Sequence, residues 1–275
     1  MSQDNPSINS ADTSVDTSVD TSVDTSVDTS VDTELVIAGR FRGPVRSGNG
    51  GYSSGALAAL APSDWVATTV RLSQPPPLDV AMTVNRSDEL LVASYDGAEV
   101  ARAQQSDHDP EPVPAVDAAT ARAAAATYPG LTAHPFPTCF SCGTGREPGD
   151  GLRIFPGPLS EGRVAATWTP DPSVTADWHE YRDAAREVGH AVTWAALDCA
   201  GAWAADIGER LMVLGTMTAR LHSLPKVGEE HVVVGAARGE SGRKRMSAVS
   251  LYDAAGGLVG TAEHVWIAVD PKAFN

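Results

Sequence analysis

The chain has 275 residues, of which 42% are hydrophobic, and carries 35 acidic against 20 basic side chains. That apolar share can build a core in one large domain or two of ordinary size. A net charge of −15 excludes the basic face that nucleic acid or an anionic membrane surface requires.

No apolar run reaches the roughly 18 residues of a membrane span, and the N-terminus lacks the charged and apolar regions of a secretory signal. Three cysteines make no disulfide framework. These features predict a soluble, cytoplasmic protein with no nucleic-acid and no membrane partner.

The acidity is uneven. Residues 1–34 hold eight acids and no Lys or Arg, and residues 13–32 are five copies of Thr-Ser-Val-Asp. One Val in four cannot bury enough surface to offset ordering, and Ser, Thr and Asp compete for backbone hydrogen bonds. The reading for 1–34 is a disordered acidic tail.

Folded sequence begins near Glu34. Leu35–Phe41 reads as a strand, Gly43–Gly51 as a Gly/Pro-rich turn, and Tyr52–Ala61 as a small-residue helix ended by Pro62. Strands are predicted at Trp65–Leu72, Leu78–Asn85, Glu89–Ser94 and Ala98–Gln104, with Asp96-Gly97 as a hairpin signal. Residues 107–150 carry repeated prolines and an Ala-rich stretch, and read as a linker with one short helix at Val116–Thr127. The pattern then recurs. Strands are predicted at Gly151–Phe155 and Gly162–Trp168, a turn or short helix at Trp178–Arg186, and a five-turn apolar helix at Val188–Ile207. Strands at Leu211–Leu221, His231–Arg238, Lys244–Asp253 and Leu258–Val269 follow. The element order implies an α+β fold with two units, 35–106 and 151–275, each a helix wrapped by a curled antiparallel sheet: a tandem hot-dog.

Asp198 stands out by composition alone. It lies within a helix whose neighbours for four positions on either side are apolar or small, where a carboxylate costs several kcal/mol unless bonded or solvated. It reads either as a structural Asp or as a water-binding base. Asn49, Gly50 and Gly51 lie at the first helix start, where backbone N–H groups can meet a ligand or simply shape a turn. Arg243, Lys244 and Arg245 form the densest basic spot, suited to phosphates or to solvent. Cys139-Phe-Ser-Cys142 is half of a tetrahedral metal site with no second pair following, and His134, Cys199 and His179 have no fixed relation to it. Reduced cysteines packing in the linker are expected, with no metal and no cofactor.

Two stretches carry a family resemblance: Arg42-Gly-Pro-Val-Arg-Ser-Gly-Asn-Gly-Gly-Tyr52 before the small-residue helix, and Leu197-Asp198 through Thr216 to Thr261-Ala262-Glu263. The chain resembles double hot-dog acyl-CoA thioesterase-like proteins of the thioesterase II type. The resemblance implies a water held by Asp198, Thr216 and Glu263, with Glu263 standing where the family has Gln. A carboxylate there can only accept, and it would raise one carboxyl pKa. The implied substrate is an acyl-CoA or related thioester. A hydratase is disfavoured by the lack of an Asp/His pair at a helix start, and a serine hydrolase by the lack of a Gly-x-Ser-x-Gly turn. The alternative is a non-catalytic acyl-binding module. Pairing into a homo-oligomer through a sheet edge or face is left open.

Overall fold

Alternation of apolar and polar side chains drives the sheet. In the strand Ala81–Arg86, Met82 and Val84 are buried while their neighbours Ala81 and Thr83 are exposed, the period-two pattern of a half-buried strand. The computed structural model describes residues 1–2, 33–160, 162–175 and 186–273. The Thr-Ser-Val-Asp repeats, and nearly all of the turn expected at Trp178–Arg186 with His179, lie outside the described residues.

Eleven strands are described: β1 (Thr33–Val36), β2 (Thr68–Leu72), β3 (Ala81–Arg86), β4 (Leu90–Tyr95), β5 (Ala98–Gln105), β6 (Gly157–Ser160), β7 (Arg163–Trp168), β8 (Met212–Leu221), β9 (His231–Ser241), β10 (Lys244–Tyr252) and β11 (Leu258–Ala268). They form one antiparallel sheet in the order β1-β3-β4-β5-β2-β8-β11-β10-β9-β7-β6. β2 pairs with β8 from Thr68 opposite Ala219 to Arg71 opposite Thr216, so the sheet runs unbroken from the N-terminal strands into the C-terminal ones.

Among the described residues four α-helices accompany it: α1 (Gly50–Ala58), α2 (Ala118–Ala125), α3 (His190–Ala196) and α4 (Cys199–Ala204). α1 packs on β2, β5 and β8 and crosses α3, while α4 packs on β7, β9, β10 and β11. The α1–α3 crossing is close. A Cβ built on Gly55 would lie 2.5 Å from Trp194 Cβ, so only glycine permits the approach. The small residues of α1 serve this contact.

Several predicted elements change on folding. Leu35–Phe41 does not continue as a strand. β1 ends at Val36, and Gly39–Phe41 is a 3-10 turn, held where Gly39 N–H donates to Asp79 Oδ1 at 2.7 Å. Gly151–Phe155 is irregular, because its N–H groups are taken elsewhere: Leu152 donates to Phe140 O at 2.8 Å and Ile154 to Ser141 O at 2.9 Å. The expected linker enters the core, with Tyr128, Cys139, Phe140 and Cys142 all buried. The single helix expected at Val188–Ile207 is two helices, broken at Asp198.

Candidate functional site

The break at Asp198 is where the site begins. Asp198 has φ −86° and ψ −78°, and carries no capping bond of its own. Its side chain is drawn to α1 instead. Oδ2 accepts from Asn49 Nδ2 at 2.8 Å and from Gly51 N–H at 3.0 Å. Oδ1 is buried and has no hydrogen-bond partner among the described residues. Burial pushes the carboxyl up to about 7, with the Gly51 and Asn49 donors acting against that rise.

Asn49 has two roles. Its Oδ1 caps α1 by accepting from Tyr52 N–H at 2.8 Å, while its Nδ2 reaches Asp198. Gly51 lets the two helices meet: a Cβ there would lie 2.5 Å from Asp198 Cβ and 2.8 Å from Trp194 O. Gly50 opens α1, and among the described residues its N–H has no hydrogen-bond partner.

Asp198, Asn49 and Gly50 line a cavity of about 270 Å³. Its walls include Leu214, Met212, Ile207, Trp203 and Trp266, together with the Pro75-Pro76 turn. Apart from Asp198, its ionisable lining among the described residues is His134 and the three cysteines. An apolar cavity with a few convergent polar groups is the usual form of a small-molecule site.

Thr216 and Glu263 are not part of this wall. On β11, His264 faces inward: its ring nitrogen would lie 2.9 Å from a Cβ on Gly201 of α4. Its neighbour Glu263 therefore faces the other side of the sheet. There Glu263 accepts from Glu111 N–H at 3.3 Å and pairs with His108 Nε2 at 3.0 Å. Thr216 stands opposite Val265 and next to the inward Met217, which is fully buried; by the same alternation it shares the outer face. The structure thus brings Asn49, Gly50, Gly51 and Asp198 together, and leaves the other two expected partners of Asp198 outside. Gly51 N–H is already spent on Asp198, so of the expected backbone donors Gly50 alone keeps its N–H free.

The basic spot lies one strand from the cavity. Lys244 and Arg245 pair across β10–β11 with Ile267 and Trp266, both of which line it. Cross-strand partners share a face, which sets Arg245 on the side of Trp266. Arg245 also pairs with Glu240 at 2.6 Å.

The CxxC turn is the feature that spacing alone did not complete. Cys199 begins α4 and brings its Sγ to 3.6 Å from Cys139 Sγ. All three thiol sulfurs lie within 4.8 Å of one another. A lone cysteine in an apolar helix gives no spacing signal toward a distant pair, so only the fold discloses the third member.

No protein-family model matches the sequence, and no curated protein matches it. Solved structures do. The tesB protein of Mycobacterium avium subs paratuberculosis is 12% identical with a TM-score of 0.53, covering 82% of this chain and 89% of its own. A candidate thioesterase from Novosphingobium aromaticivorans DSM 12444 is 12% identical with a TM-score of 0.55, covering 86% and 95%. A conserved protein of unknown function with a hot-dog fold from Alicyclobacillus acidocaldarius is 14% identical with a TM-score of 0.50, covering 90% and 96%. These likenesses bear out the fold that the resemblance implied: the chain has the hot-dog fold.

Proposed function

We propose that the protein is a tandem hot-dog thioesterase that hydrolyses an acyl-CoA or related thioester with Asp198 as general base. One observation carries the reading. A carboxylate fixed through Oδ2 by two N–H donors, with Oδ1 unpartnered, stands in the wall of an apolar cavity.

The chemistry follows from the residues present. Asp198 takes a proton from water as the water oxygen attacks the thioester carbonyl carbon. The carbonyl oxygen, now negative, accepts from the free N–H of Gly50 at the N-terminus of α1, where the helix dipole also favours negative charge. Collapse of the adduct breaks the C–S bond, and the proton on Asp198 passes to the leaving thiolate. A carboxylic acid and a free thiol result. Lys244 and Arg245, with Arg243 at the same turn, serve the phosphates of a CoA-like leaving group.

The test is thiol release from acetyl-, hexanoyl-, decanoyl- and palmitoyl-CoA by the wild type and by Asp198→Asn. Asparagine keeps an oxygen for both N–H donors, so the fold is retained, and loss of the base is expected to cost about 10²–10⁴ in rate. Full activity in a variant with an unchanged melting temperature removes Asp198 from the chemistry. A second reading, acyl binding without turnover, draws on Thr216 and Glu263 facing away from the cavity. It predicts a rise in melting temperature with acyl-CoA and no thiol release.

A further inference from the structure

The cavity floor holds a second chemical grouping. Cys139 and Cys142 come from the turn that follows α2, and Cys199 from the first residue of α4, 60 positions along the chain from Cys139. All three are reduced, at 4%, 3% and 9% exposure. Their sulfurs share one point of the structure, with Cys139 and Cys199 3.6 Å apart. In a tetrahedral site with metal–sulfur bonds of about 2.3 Å, neighbouring sulfurs stand roughly 3.8 Å apart. The observed spacing fits that edge, while it is well beyond the S–S bond of about 2.05 Å.

The turn is built to present its sulfurs. Within the turn, Gly143 N–H closes the loop on Cys139 O at 2.9 Å. A Cβ on Gly143 would lie 2.4 Å from that same oxygen, so glycine is needed directly after the second cysteine. Asn49 Nδ2 stands 3.6 Å from Cys139 Sγ and 4.0 Å from Cys199 Sγ. Negative charge on Cys139 or Cys199 therefore meets the Asn49 amide, an N–H donor of the kind that supports buried thiolates and metal-bound sulfurs.

His134 touches the group differently. Its Nε2 is 3.3 Å from Cys142 Sγ and 3.1 Å from Cys142 O, while its Nδ1 accepts from Phe136 N–H at 2.9 Å. An acceptor Nδ1 leaves the proton on Nε2 in the neutral ring. His134 thus donates toward Cys142 and is not placed as a ligand.

We infer that Cys139, Cys142 and Cys199 together form a three-thiolate site for a zinc-class divalent metal ion, with the fourth position supplied from the cavity that all three line. The thiolate set selects a soft or borderline ion such as zinc over magnesium or calcium. Binding releases the thiol protons to solvent and involves no change of oxidation state. Such an ion ties the segment around residues 139–143 to α4 beside Asp198. The inference stands apart from thioester hydrolysis, because metal content is read without substrate.

The experiment uses the full chain, purified with a reductant and dialysed against zinc, then against cobalt. One metal per chain is expected. The cobalt form should show a strong visible ligand-field band of a tetrahedral site and a near-ultraviolet thiolate-to-cobalt band. Cys139→Ser, Cys142→Ser and Cys199→Ser should each lose both bands, whereas His134→Ala keeps them. If a cysteine variant fails to fold, titration of wild-type protein with an organomercurial should release zinc in step with modification of the thiols. Wild type that takes up no zinc, or zinc retained after all three thiols are modified, overturns the site. Loss of the cobalt bands in His134→Ala overturns the open fourth position. Absence of thioester hydrolysis in a protein that binds zinc counts only against the proposed activity.

Discussion

Asp198 and His264 are both wholly enclosed, yet their sequences announce them differently. Asp198 is legible because a carboxylate flanked by four apolar or small residues on each side demands a partner, and Asn49 and Gly51 supply it. His264 stands one residue from Glu263, the position that the family resemblance selects. The two differ by one step of strand register, and one step exchanges the faces of the sheet. No local property of Thr-Ala-Glu-His says which residue points inward; that is decided by Gly201 of α4 and Ser247 of β10, which both lie against the His264 ring.

The inward histidine makes a pH prediction. Burial holds His264 down at about 4, and the groups around it, Ser247, Trp266, Gly201 and Leu197, carry no charge. Its Nε2 has no hydrogen-bond partner. The folded pKa lies below the unfolded value of 6.5, so the unfolded chain binds the proton more readily. The stability tied to the neutral ring is fully present above about pH 6.5 and is lost as pH falls toward 4. About 3 kcal/mol is at stake over that window. Urea unfolding at several pH values should show this decline in wild type and a shallower one in His264→Gln. Equal slopes for the two proteins would count against the assignment.

At the scale of elements, strands with alternating burial were legible to within a few residues, as β3, β4 and β5 show. The irregular segments were not. Residues 134–150 look like linker because prolines and glycines interrupt every periodicity, yet Phe140 stacks edge-on against Phe41 at 4.9 Å, and the segment enters the core. Its order comes from contacts distant in sequence, Phe140 N–H to Arg42 O at 2.8 Å and Arg146 Nη2 to Arg40 O at 2.6 Å. The broken helix is a similar case, since the pull on Asp198 originates in α1. The crossing of α1 and α3 is testable here. Gly55→Ala places a methyl 2.5 Å from Trp194 Cβ, and overpacking of this kind should destabilise by about 1–3 kcal/mol. Gly208→Ala meets nothing nearer than Trp203 at 3.5 Å and should leave the melting temperature close to wild type. Equal melting temperatures for the two variants would show that the helices can part without loss.

At the scale of the molecule, the seam between β2 and β8 decides whether the strands on its two sides behave as one. Across it the backbone ladder continues, Thr69 Oγ1 and Thr218 Oγ1 are hydrogen-bonded at 2.9 Å, and α1 lies against α3. The candidate site spans the same junction, with Asn49 and Gly51 from one side and Asp198 from the other. Opening the seam would expose a sheet edge on both sides and strand the buried carboxylate without its donors, a combined cost that local fraying cannot offset. The strands on the two sides of the seam should therefore open together. In native-state hydrogen exchange, amides of β4 on one side and of β10 on the other are expected to report the same highest opening free energy. Were β4 to open at a free energy lower by ~2 kcal/mol or more, the N-terminal strands would be a separate cooperative unit. The Asp198 site would then be assembled only while the seam is closed.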